Sequence, residues 1–287
     1  MNILKACYEK HGNIDPVIAA ILLEQTKFKV IVFGGLLRDL VQNKPSSDVD
    51  ILILRDGAVT YDHNTRSFTD KFIDDFNEIL KSSKLISNPI LTRHETKVNN
   101  INQYRGQLEE IDDTTEDLEQ EDDIHSLAFK VKVDHIKYSF KLNGYDFSLD
   151  VSFSCDNNKL KKYQPSCQID SLYVEEQFIP ENDDMKQLDH IRKFFASNLK
   201  SYYGSTDEIK KDIMNKKLVI LDINNVKRIL KLARFILKES YSLKDTVVNR
   251  EKSKMIQNFS STMYYDKFDS ESRKQYLGLK HHLEKCK

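Results

Sequence analysis

Apolar positions along the chain follow two periods. Behind Asp15-Pro16, Val17, Ile18, Ile21 and Leu22 repeat at helical spacing. This predicts a helix with Asp15 as N-cap and Pro16 at the first helical position, where its missing N–H costs nothing. Residues 29–33, KVIVF, form a short apolar run stopped by Gly34 and Gly35, which reads as a buried strand. Leu36 to Val41 fits a helix ended by Asn43 and Pro45, and residues 48–54, DVDILIL, read as the next strand. Helical periodicity returns over 69–82 through Phe72, Phe76, Ile79 and Leu80.

Further along, two alternating arms, FKVKVDHIKYSFKL and YDFSLDVSF, flank Asn143-Gly144, a strong hairpin-turn signal. In the second arm Tyr145, Phe147, Leu149 and Val151 alternate with Asp146, Ser148, Asp150 and Ser152, which puts Asp150 on the polar face of a strand. From about residue 184 the pattern is helical to the end, clearest in KQLDHIRKFFASNL and NNVKRILKLARFILKES. The pattern predicts a mixed α/β head over 1–180 and a helical part over 181–287. Between the strands, residues 100–123 are polar, acidic and aperiodic, and are expected to be a mobile insertion.

Charge changes this picture. The chain carries a net charge of −1 over 287 residues. Residues 107–123 alone hold ten acidic residues and no basic one. From Met185 onward there are 23 Lys and Arg against 12 Asp and Glu, so the C-terminal third is a basic module. Such a surplus suits an anionic partner such as RNA. No apolar run approaches the roughly 20 residues of a membrane span. The four widely spaced cysteines, Cys7, Cys155, Cys167 and Cys286, lack metal-ligand spacing. With no secretory signal in the N-terminal residues, the expected location is a reducing, cytoplasmic compartment.

The segment FGGLLRDLVQNKPSSDVDILIL, 33–54, carries the candidate chemistry. Side chains alternate along a strand, so Asp48 and Asp50 share a face, roughly 7 Å apart at the backbone. Two such carboxylates repel unless a cation bridges them, and Mg²⁺ or Mn²⁺ favours hard oxygen ligands of this kind together with substrate phosphates. Asp150, on a neighbouring strand, is the candidate third carboxylate of a two-metal site for displacement at phosphorus. Gly34 and Gly35 let backbone approach a triphosphate, and Lys44 is a further candidate for contact with it. Arg38 can reach a phosphate or pair with a nearby carboxylate.

In their order, these residues resemble the nucleotidyltransferase superfamily with the polymerase-β-type palm. The closest branch is that of class II CCA-adding enzymes and bacterial-type poly(A) polymerases. Gly34-Gly35-Leu36-Leu37-Arg38-Asp39 is similar to its G-G-x-V-R-D signature, Asp48-Val49-Asp50 to its D-x-D, and Leu149-Asp150-Val151 to its third, strand-borne carboxylate. Ile169-Asp170-Ser171-Leu172 resembles the I-N-A-L end of the segment that contacts the nucleotide sugar. Asp212-Ile213 with Lys216-Lys217-Leu218-Val219 resembles the flexible D-L-x-x-G-x-I motif. Asn224-Asn225 followed by Arg228 and Arg234-Phe235 resembles E-D-x-x-R-h-L-R-x-x-R-F. The departures are Gln164-Pro165-Ser166 in place of Arg-Arg-Asp, and Asn224-Asn225 in place of the Glu-Asp that reads the incoming base.

The resemblance implies an α+β fold: a palm of mixed sheet with flanking helices, followed by a helical C-terminal domain. It implies a metal-dependent enzyme that transfers NMP from an NTP, with ATP the first candidate, to an RNA 3′ end. Asp48, Asp50 and Asp150 would hold Mg²⁺ or Mn²⁺. Gly34, Gly35, Arg38, Lys44, Asp170, Asn224, Asn225 and Arg228 would contact the nucleotide. The altered base-reading motif leaves open a protein or small-molecule acceptor, or a nucleotide- or RNA-binding subunit of weak activity.

Overall fold

The computed structural model describes residues 2–54, 65–98, 101–102, 132–133, 135–154, 165–181, 186–223, 226–258 and 269–285. The acidic stretch 107–123, Asn224 and Asn225 lie outside these residues.

Seven strands form one mixed sheet: β1 (Lys29–Phe33), β2 (Val49–Leu54), β3 (Leu91–Val98), β4 (His135–Leu142), β5 (Tyr145–Ser154), β6 (Leu172–Val174) and β7 (Lys200–Ser201). Their spatial order is β3-β4-β5-β2-β1-β6-β7. The β2–β5 pair is parallel and the other neighbours are antiparallel. The hairpin β4–β5 turns at Asn143 (φ 48°) and Gly144 (φ 92°), the two left-handed positions that a tight two-residue turn requires.

Alternation along the strands gives the sheet two unlike faces. One face carries Val30, Val32, Val49, Ile51, Ile53, Tyr138, Phe140, Leu149 and Val151 into the main core. The helices α1 (Ile3–His11), α2 (Asp15–Glu24) and α4 (Thr65–Ser82) share that core. Helix α2 is buried along nearly its whole length, Asp15 to Leu23. Phe72 of α4 stacks on Tyr138 and meets Phe153 edge to face, and Phe76 packs at a tilt against Phe140 and Phe147 of the hairpin. On the opposite face lie Ile31, Phe33, Leu52 and Leu54, with Tyr173 and Tyr202 packed beside them. Asp50 and Asp150 belong to that second face.

The remaining helices are α3 (Gly35–Val41), α5 (Gln187–Asn198), α6 (Thr206–Met214), α7 (Val226–Ala233), α8 (Val247–Asn258) and α9 (Ser270–Lys285). A π-helical turn, Arg234–Lys238, extends α7. No helix among the described residues is long and apolar enough to cross a membrane.

One expectation is corrected. Asp15 is the first residue of α2 and not its cap: its N–H donates to Asn13 Oδ1, and its buried carboxylate accepts from Ser46 Oγ at 2.5 Å. The sheet runs past residue 180, because β7 pairs with β6 and α5 packs on α2.

Candidate active site

The loop from Phe33 to Val49 is fixed at both ends. Gly34 adopts φ 81°, and a Cβ there would lie 2.6 Å from Asp50 Oδ2. Only glycine lets the chain turn from β1 into α3 while Asp50 projects beneath it. The N–H of Gly34 donates to the Leu172 carbonyl at 3.2 Å, and the N–H of Gly35 donates to the Asp50 carboxylate. Both glycine N–H groups expected to face a triphosphate are thus engaged, and the pair serves first to seat Asp50. Before β2, Asn13 Nδ2 donates to the Ser46 carbonyl at 2.8 Å, tying the loop that carries Asp48 to the start of α2.

The three aspartates converge. Asp50 and Asp150 are register partners on the parallel strands β2 and β5, roughly 5 Å apart at the backbone. Lys137, directly opposite Asp150 on β4, reaches Asp48 Oδ2 at 2.9 Å and Asp150 Oδ1 at 3.5 Å. Burial pushes the Asp50 carboxyl up to about 7, helped by the charges of Asp48 and Asp150 and opposed by Lys231 and the Gly35 N–H. Burial tends to lower the Lys137 ammonium, but the hydrogen bond and charge of Asp48 and the charge of Asp150 outweigh it and raise it.

Facing the carboxylates across a cleft of about 480 Å³ is one side of α7 and its π-helical turn. Lys227, Lys231, Arg234 and Lys238 line the cleft with Gly35, Arg38, Asp48, Asp50 and Asp150. Spacings of three, four and seven residues put these cations on one helical face. Beneath the cleft Asp170 is fully buried and pairs with Arg38 Nη1 at 2.6 Å and Lys231 Nζ at 2.8 Å. Burial works against the charged form of Asp170. Lys231 and then Arg38 outweigh it and hold the carboxyl below its ordinary value. Arg38 also chelates Asp39 through Nε and Nη2 at 2.9 and 3.0 Å and lies 4.9 Å over the Phe235 ring.

Several expected nucleotide contacts are therefore placed differently. Asp170 is consumed by two cations, and Arg38 is a buried strut under the cleft. Lys44 lies beside Lys216 and does not line the cleft. Arg228 pairs with Asp222 on another side of α7, because one position along a helix rotates a side chain about 100° from Lys227. Lys216, standing where the resembled motif has glycine, adopts a left-handed backbone at φ 54°.

Lys137 is the site residue that motif reading missed, although a signal existed. Counting back equally along both arms from the Asn143-Gly144 turn sets Lys137 against Asp150. As donors, three carboxylates suit a hard divalent cation, and the raised Asp50 marks negative charge that such a cation would relieve. In the present arrangement no group of three or more His, Cys, Asp or Glu side chains among the described residues is closed into a metal-holding cluster.

No family model matches the sequence, and no curated protein matches it. Solved structures resemble it in fold. A CCA-adding enzyme in complex with CTP has 14% identity and a TM-score of 0.47 over 96% of this chain and 50% of that one. A Thermotoga maritima CCA-adding enzyme complexed with tRNA has 12% identity and a TM-score of 0.46 over 96% and 50%. A tRNA-processing enzyme has 10% identity and a TM-score of 0.45 over 98% and 56%. The chain spans about half the length of these structures.

Proposed function

We propose that this chain is a nucleotidyltransferase that moves a nucleoside monophosphate from an NTP, ATP first among them, to an RNA 3′ end. One observation carries the reading: a cleft with Asp48, Asp50 and Asp150 on one wall and Lys227, Lys231, Arg234 and Lys238 on the other. An RNA strand lying between them has its backbone charges matched by the basic wall. The reacting phosphorus of the NTP meets the carboxylate wall.

Asp48, Asp50 and Asp150 would hold Mg²⁺ or Mn²⁺. Bound there, the ion supplies charge neutralisation at the transferring phosphoryl group and acidifies the attacking hydroxyl. The protein's own contribution is placement. Gly34 leaves room for Asp50, Gly35 holds its orientation through a backbone N–H, and the Arg38–Asp170–Lys231 pairing fixes α7 against α3 at the cleft's edge. Lys227, Arg234 and Lys238 supply the track for RNA phosphates.

The test is incubation with each labelled NTP, Mg²⁺ or Mn²⁺, and mixed RNA, with products resolved by size. A ladder identifies a polymerase and a single added nucleotide a terminal transferase. Label on protein moves the acceptor to a polypeptide. Absence of any metal-dependent transfer, with the NTP still bound, overturns the enzyme reading in favour of a binding subunit.

A further inference from the structure

We propose that Lys137 is the resident cation of the carboxylate site, seated between Asp48 and Asp150 and in competition with a divalent ion for the same oxygens. The inference rests on reading those aspartates as the metal-binding group.

The placement is dictated by the hairpin. Its turn at Asn143-Gly144 fixes the β4–β5 register, and that register sets Lys137 across from Asp150. Asp150 in turn is the register partner of Asp50. A lysine at this point projects from the same face of the sheet as Asp150, toward the group of carboxylates. Its Nζ contacts two of the three, at 2.9 and 3.5 Å. The next lysine on the same face, Lys141, pairs with Asp146 at 3.5 Å, near the hairpin turn. Lys231, the cation acting on Asp50, is already paired with Asp170.

Three carboxylates this close repel one another strongly when ionised. One ammonium removes part of that repulsion and lets the strand ends pack without a divalent ion. The same ammonium raises the threshold for metal entry, because an incoming ion must displace it from Asp48 and Asp150 or forgo their oxygens. Nucleotide lowers that threshold by bringing phosphate ligands of its own. Lys137 is a positioning residue in this account: it acts through the carboxylates and makes metal occupancy depend on nucleotide.

Direct Mn²⁺ titration of the full chain without nucleotide, read from the paramagnetic resonance of free Mn²⁺, tests this with no turnover. Lys137→Met should bind Mn²⁺ at least about tenfold more tightly than the unsubstituted protein, the change expected from one charge a few Å away at a partly exposed site. Lys137→Gln should tighten it similarly, so that a folding defect in either variant does not decide the matter. Lys137→Arg and Lys141→Met should leave the affinity near the starting value. Asp150→Asn placed in the Lys137→Met background should abolish the gain. Equal or weaker Mn²⁺ binding by folded Lys137→Met and Lys137→Gln overturns the proposal. If Mn²⁺ then still binds through Asp150, the nucleotidyltransferase reading stands without it. If no variant binds Mn²⁺ even with ATP present, both readings fall together.

Discussion

Gly34 and Asp50 are mutually exclusive with any side chain between them: a Cβ on Gly34 would sit 2.6 Å from Asp50 Oδ2, at a backbone φ of 81°. The turn out of β1 and the seat of the central carboxylate are therefore one structural decision. Relief at Gly34 requires Asp50 to rotate, which breaks its bond from the Gly35 N–H.

Gly34→Ala tests that coupling. The unfavourable backbone conformation costs about 1–3 kcal/mol, and displacement of Asp50 should lower NTP transfer by at least about 100-fold, or ~2.7 kcal/mol of transition-state stabilisation. Thermal melts and initial rates read the two effects separately. Melting and activity both unchanged would show that the carboxylate does not depend on this turn.

A second prediction concerns the junction of head and helical part. Asp170 is buried between Arg38 and Lys231, so Asp170→Ala leaves two cations with no carboxylate between them. Breaking a buried pair in this way destabilises by about 3–5 kcal/mol. Chemical denaturation should show the loss. A change under about 1 kcal/mol, the range of exposed pairs, would mean that the junction is solvated in solution.

What could be read from sequence divides along physical lines. The strands at 29–33 and 48–54 were legible as short apolar runs, which the structure buries on both faces, and the hairpin arms because apolar and polar residues alternate along them. The turn was legible because Asn143-Gly144 accepts two left-handed residues. The pairing of β2 with β5, and so of Asp50 with Asp150, was not. Parallel register is set by packing over a long crossover and leaves no local signature. Motif order led to the three carboxylates but assigned Asp170 and Arg38 to the nucleotide. Only three-dimensional burial shows that they neutralise each other. Lys44 was placed by its position just before β2 and Arg228 by its position in a motif, while their directions depend on the C-cap of α3 and on helix phase.

Asp15 provides a pH prediction. Burial, with a small contribution from the charge of Asp48, pushes its carboxyl up to about 6, against the hydrogen bond from Ser46. A carboxyl raised on folding binds its proton more tightly in the folded state, so stability falls as pH rises from its unfolded value near 4 to about 6. Asp15→Asn removes that slope. Relative to the unsubstituted protein, the variant should gain stability between pH 4 and pH 7, by at most about 3 kcal/mol. Parallel melts of both proteins across that interval check the sign, and a difference independent of pH would place Asp15 in water.

The final prediction concerns the basic wall. Lys227 and Lys238 are exposed and line the carboxylate cleft, whereas Lys231 also holds Asp170, so reversing Lys231 would confound binding with stability. Lys227→Glu with Lys238→Glu changes the track alone. RNA affinity should fall steeply with salt in the unsubstituted protein, because neutralised phosphates release counterions. The double variant should bind RNA more weakly and with a shallower slope, smaller by about 0.7 for each lost phosphate contact to a single strand. Its metal-dependent NTP binding should stay within about threefold, less than 1 kcal/mol, since the carboxylate wall is untouched. Filter binding across a salt series measures both quantities. RNA binding insensitive to salt, with NTP binding preserved, would take RNA off this wall and favour a protein or small-molecule acceptor.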